Sequence, residues 1–208
     1  MDVLIVSKTK MQHGICVGAI EINSGRFVRL LDINGYHNES EDYEIRQIWS
    51  ITYNKPINPR PLPHSEDICV KTKCLKEVLD ENVVMRDFLN SMKIHIYCGS
   101  LLSLFETKLK FTNGGSCFVN KENVPQNSVC FWIPDRNLVR RDFNGKVRYN
   151  YNDGTRPWGY NVSYVGLIEP NVIIPRNTLV RMSLANWWTP EESDNEERCY
   201  LQLSGWYV

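Results

Sequence analysis

Between Arg136 and Tyr160 the chain carries six basic residues, Arg136, Arg140, Arg141, Lys146, Arg148 and Arg156, against two acids, Asp142 and Asp153. Five aromatic residues are threaded through the same stretch: Phe143, Tyr149, Tyr151, Trp158 and Tyr160. Cationic groups neutralise phosphates, and flat rings give bases a surface to stack on. Together they form the binding chemistry of single-stranded nucleic acid. The local net charge is +4, whereas the whole chain sums to zero, with 24 Lys and Arg against 24 Asp and Glu. At the centre lies Asn144-Gly145, whose tolerance of positive φ suits a tight hairpin turn. In this reading Arg140, Arg141, Lys146, Arg148 and Arg156 meet phosphates, and Tyr149, Tyr151, Trp158 and Tyr160 stack on bases. In an extended strand Tyr149 and Tyr151 share one face, with Arg148 and Asn150 on the other. The competing reading is a charged edge that resists strand-to-strand association, with the rings covering a barrel.

A second group of candidates is Lys8, Lys10, Arg26 and Arg29, near the N-terminus. Arg29 sits between Val28 and Leu30, so it points away from the apolar face of a strand. Plain surface charge is the alternative. A third candidate is Trp188. Adjacent tryptophans, Trp187 and Trp188, face opposite ways in a strand, so one is core and the other is exposed or covers a neighbouring element. Catalytic patterns are weak: there is no phosphate-cradling Gly-rich loop with a lysine, no His-Glu-x-x-His and no kinase signature. The expectation is a protein without an enzymatic activity or a cofactor of its own. Cys69, Cys74, His95 and Cys98 could supply four zinc ligands. A spacing of five in a strand, however, turns Cys69 and Cys74 to opposite faces.

The elements that must position these residues follow from hydrophobic periodicity. At 208 residues and 42% apolar content, the chain has enough apolar material for one large domain or two small ones. A sequence pI near 6.9 argues against non-specific polyanion binding over the whole surface. Two acidic runs, 39–44 and 191–197, offset the basic segment and read as solvated loops. The seven cysteines, the lack of a Cys-x-x-Cys and the lack of a signal-like N-terminus lead us to expect the reducing cytoplasm.

Strand patterns occur at 2–8, 14–22, 26–31, 48–53 and 68–75. Apolar steps of three, four and seven over 75–92 predict helix, with a further helical turn at 101–105. Strand patterns return at 116–119, 129–133, on both sides of Asn144-Gly145, and at 162–167, 179–185 and 199–208. The fold class expected is mostly β, two small OB-like barrels joined by a helical segment, divided as 1–110 and 111–208. A pair of SH3-like or PUA-like barrels would share this pattern, and one β-sandwich is the alternative architecture.

Several runs point further. Ser7-Lys8-Thr9, Cys16-Val17-Gly18 and Ser24-Gly25-Arg26 precede Val28-Arg29-Leu30-Leu31. Phe131-Trp132-Ile133-Pro134-Asp135, Ser163-Tyr164-Val165-Gly166 and the run Val180 to Ala185 with Trp187-Trp188 follow. The chain closes on Glu197-Arg198-Cys199-Tyr200-Leu201-Gln202-Leu203-Ser204-Gly205-Trp206-Tyr207. In these runs it resembles, over nearly its full length, a family of uncharacterised bacterial proteins described as containing a dual OB domain. The resemblance implies two OB-like barrels, no established catalytic residues, and nucleic-acid or nucleotide binding as an expectation. The combined expectation is a cytoplasmic module that binds single-stranded DNA or RNA, or structured nucleic acid. It would act beside a protein partner that carries catalysis, in phage defence or nucleic-acid processing. A protein-interaction adaptor and a nucleotide sensor are the alternatives.

Overall fold

A computed structural model describes residues 1–37, 43–190 and 196–207. Positions 39–42 and 191–195 of the two acidic runs therefore lie outside the described residues. The chain divides into two units, Met1–His95 and Ile96–Val208.

In the first unit five strands form a closed barrel: β1 (Asp2–Lys10), β2 (Ile15–Glu21), β3 (Phe27–Leu31), β4 (Gln47–Asn54) and β5 (Asp67–Val78). Their order around the barrel is β1-β2-β3-β5-β4, with β4 returning to β1. All neighbours are antiparallel except β3 and β5, which run parallel with Arg29 opposite Asp67. This cyclic order, with its single parallel pair, is an OB-type five-stranded Greek-key barrel. Alternation drives it: Val3, Ile5, Val17, Ala19, Val28, Leu30, Ile51 and Ile68 all point inward to one core.

The helix expected over 75–92 is shorter. Residues up to Val78 extend β5, because they pair with β4 as far as Gln47↔Val78. Only α1 (Met85–Ser91) is helical, burying Met85 and Leu89. Leu75 and Val78, apolar positions of the expected helix, are exposed on the strand instead.

The second unit begins with β6 (Ile96–Gly99), which pairs in parallel with a strand of that unit. That pairing moves the boundary from 110/111 to between His95 and Ile96. A short 3-10 turn at Leu101–Ser103 and α2 (Leu104–Thr107) follow. The remaining strands are β7 (Lys110–Phe111), β8 (Cys117–Asn120), β9 (Val129–Pro134), β10 (Leu138–Arg140), β11 (Arg148–Tyr151), β12 (Tyr160–Tyr164), β13 (Ile173–Ile174), β14 (Leu179–Leu184) and β15 (Arg198–Tyr207). The main sheet runs β13-β10-β11-β12-β15-β14-β9-β6, with β8 beside β15 and β7 beside β8.

Only residues 135–137 separate β9 from β10, so the two act as halves of one bent first strand. Counted in that way, the order is first-second-third-fifth-fourth and back to the first, the order of the first unit. Its parallel pair is again third with fifth, here β12 with β15. The fold is thus mostly β and built from two OB-like units. Trp132, Tyr149, Tyr151, Met182 and Leu203, all fully buried, lie in the core of the second.

Candidate nucleic-acid interface

The basic segment forms the hairpin between the first and second strands of the second unit. Asn144 (φ 51) and Gly145 (φ 70) both take the left-handed conformation that a type I′ turn requires. The flanking Phe143 and Lys146 exchange backbone hydrogen bonds of 3.0 and 3.1 Å. Arg140 pairs opposite Tyr149, and Leu138 opposite Tyr151. The strand period then sorts the side chains by face.

Tyr149 and Tyr151 point inward and are fully buried, and Tyr160 on β12 is 2% exposed. The Tyr149 hydroxyl donates to the Asn171 carbonyl (2.7 Å), and that of Tyr151 to the Asp135 carboxylate (2.8 Å). Burial pushes both phenols up to about 12. These three rings are core, not stacking platforms: the apolar interior of a small barrel outcompetes solvent for the largest side chains.

Two of the expected phosphate-binding arginines are committed internally. Arg140 grips Asp142 with Nε (2.9 Å) and Nη2 (2.8 Å), and donates to the Pro170 carbonyl through Nη1 (3.0 Å). This paired guanidinium holds the Asp142 carboxyl below its ordinary range. Arg156 donates to the carbonyls of Thr112 and Asn113 and stacks 4.4 Å above the Phe111 ring.

The outward face of β11 and β12 is also partly occupied. Asn150 is buried and donates to Asn161 and to the carbonyls of Trp158 and Tyr160. Asn161 donates in turn to the Gly114 carbonyl, and Ser116 bridges to Asn161. The turn before β8 therefore lies over this face. Gly115 permits its close approach, since a Cβ there would stand 2.6 Å from the Gly159 carbonyl oxygen. Gly159 in turn packs on the end of β11, where a Cβ would stand 2.5 Å from the Tyr151 carbonyl oxygen.

What remains outward is a smaller set. Arg141 and Lys146 at the hairpin tip are exposed and form no ion pair among the described residues. Arg148 lies 5.4 Å from the centre of the Phe143 ring, which is 59% exposed. Trp158 is 75% exposed, in the connection from β11 to β12. Arg148 and Tyr151 bound β11, so the tip and the Trp158 loop stand at opposite ends of this strand, about 10 Å apart along it. Trp188 lies in the β14–β15 connection, pairs with Arg198 and is 56% exposed, against Tyr200. Trp187 packs on the core with Lys121 over its ring. One tryptophan of the pair is thus partly buried against the core and the other is outward, although both lie beyond the end of β14 rather than in a strand.

In the first unit the expected basic cluster is not a free surface. The Lys8 ammonium, 8% exposed, bonds Glu44 at 2.7 Å. Arg26 contacts Glu21 and the Tyr53 hydroxyl, each at 3.2 Å. Arg29 points outward as expected but is mostly buried, ion-paired to Asp67. Arg60 reaches the same Asp67 carboxylate at 3.3 Å, a companion for which the sequence pattern carried no signal. Cys69 is buried and Cys74 exposed. Contrary to the expected opposite faces, an irregularity in β5 sets them opposite Asn54 and Ser50, which share the outward face of β4. No three His, Cys, Asp or Glu side chains are grouped to hold a metal ion among the described residues. No helix among them is long and apolar enough to cross a membrane.

Two solved structures align over 99% of this chain and 95% of their own, at 10% identity. One is a murine DNA-binding protein bound with double-stranded DNA (TM-score 0.33). The other is the Ifi202 HINa domain in complex with 20 bp of double-stranded DNA (TM-score 0.34). Scores this low lend no weight to a shared fold or ligand. No curated protein sequence matches the chain. The family model for the dual OB-containing domain matches residues 1–206, in accord with the two OB-like units, and the chain belongs to that family.

Proposed function

We propose that the protein is a non-catalytic binding module for single-stranded or structured nucleic acid, and that the hairpin tip of the second unit is its primary contact. One observation carries this reading. The loop between the first and second barrel strands holds Arg141 and Lys146, both exposed and outside any described ion pair, beside Arg148 stacked on the exposed Phe143. That loop, together with the one between the fourth and fifth strands, is where OB barrels commonly bind oligonucleotides. The latter loop here carries exposed Trp188. Phosphates meet the three cations, and bases stack on Phe143, Trp158 and Trp188. Each such stack contributes about 1–3 kcal/mol. A protein partner supplies the chemistry, in bacterial defence or nucleic-acid processing.

Fluorescence anisotropy with labelled single-stranded DNA, RNA and duplex DNA tests the proposal. Wild type should bind at low salt, and the variant Arg141→Glu, Lys146→Glu, Arg148→Glu should not, while keeping its circular dichroism spectrum. A folded wild type that binds none of the three probes, or a variant that binds equally well, overturns it. A second reading, an adaptor that adds a partner strand, is favoured by one feature: β13 stands at a sheet edge with Val172 71% and Ile173 46% exposed. Stoichiometric capture of a protein, without nucleic-acid binding, would select it.

A further inference from the structure

The first unit carries a buried polar cluster on the outer face of its barrel that the hairpin reading does not use. Arg29 on β3 donates through Nε to one oxygen of Asp67, and Nε of Arg60 lies 3.3 Å from the other. A single carboxylate thus occupies the ε nitrogens of two guanidiniums and fixes their planes. The Asp67 side chain is 4% exposed and that of Arg29 12%. Yet Nη2 of Arg29 and Nδ1 of His37 are both buried without a hydrogen-bond partner among the described residues. Buried polar atoms are almost always satisfied, so two orphaned atoms on residues close enough to feel each other's charge point to a partner outside the described residues. Burial, with Arg29 and Arg60 adding to it, lowers the pKa of His37. The imidazole is therefore neutral near pH 7, and its Nδ1 can carry a proton to donate.

Arg60 gives the cluster access to solvent, being 38% exposed. It sits between Pro59 and Pro61, which restrict the backbone that carries it. The carboxylates of Asp67 and Glu66 offset the charge of the two arginines. Long-range attraction of a polyanion is thus weak here, and recognition rests on directed hydrogen bonds. A planar guanidinium whose orientation is already set suits a compact oxyanion.

We propose that Arg29 Nη2 and His37 Nδ1 donate to the oxygens of one phosphate group, free or as a nucleotide monoester, with Arg60 at the rim of the site. The site is independent of the hairpin tip. Its test is a titration of the full chain, followed by the NMR signals of arginine Nε–H and the histidine rings at constant ionic strength. The probes are inorganic phosphate, AMP and adenosine. Phosphate and AMP should shift the Arg29 and His37 signals, and adenosine should not. Arg60→Ala, at the rim, and His37→Gln should each weaken phosphate binding about tenfold or more. The Arg141→Glu, Lys146→Glu, Arg148→Glu variant should bind phosphate as wild type does, which separates this site from the nucleic-acid reading. Absence of phosphate shifts at these residues, equal binding of adenosine and AMP, or unchanged affinity in both folded single variants would overturn the proposal.

Discussion

Removing Arg141 and Lys146 together should flatten the salt dependence of nucleic-acid binding by a calculable amount. Arg140 is spent on Asp142 and Arg156 on backbone carbonyls. That leaves Arg141, Lys146 and Arg148 as the cations at the tip. Each phosphate neutralised on a single strand contributes about −0.7 to the slope of log K against log salt. Three contacts predict a slope of about −2, hence a loss of roughly 15-fold in affinity between about 50 and 200 mM salt. The variant Arg141→Ala, Lys146→Ala retains Arg148 alone, so its slope should be about −0.7 and its loss about threefold over the same range. Both side chains are solvent-exposed beyond the β-ladder, so the barrel should remain folded. Anisotropy titrations of a labelled oligonucleotide at four salt concentrations give both slopes. A wild-type slope near zero, or a variant slope equal to that of wild type, would show that the tip does not meet phosphates.

Gly159→Ala should destabilise the second unit on the order of 2–4 kcal/mol, from a left-handed backbone and a Cβ 2.5 Å from the Tyr151 carbonyl oxygen. Urea unfolding measures this, and an unchanged midpoint contradicts the close packing described. Alkaline stability should fall from about pH 10 through about 12. Tyr149 and Tyr151 keep their protons longer folded than unfolded, so the unfolded chain ionises first and is favoured as pH rises. Each contributes stability on the order of 2–3 kcal/mol, fully present below about pH 10 and lost through about 12. Unfolding free energies that stay flat across this window would refute the burial of these phenols.

Local pattern carried much of the architecture. Short runs of apolar, β-branched and aromatic residues in DVLIVSK, RFVRLL and IWSITY place β1, β3 and β4, because strand preference is carried by neighbouring residues. Asn144-Gly145 specified its turn for the same reason: positive φ is an intrinsic preference of these residues. The helix over 75–92 was half misread, since the apolar spacing of Leu75 and Val78 fits helix whereas pairing with β4 holds them in a strand. Non-local hydrogen bonds decided that outcome.

The basic and aromatic composition of 136–160 was determined by sequence, and so was its hairpin form. Which of its rings face solvent was not. Both faces of β11 read as plausible surfaces until β12, β15 and the turn before β8 closed around them, taking Tyr149, Tyr151 and Asn150 out of water. Likewise no spacing foretold that Asp67 would stand between Arg29 and Arg60, because a parallel β3–β5 pairing sets that meeting across 38 residues of chain. Side-chain chemistry and short-range backbone preference are written residue by residue. Burial and charge pairing belong to the closed barrel, where distant segments compete for the same interior and the same counter-charge.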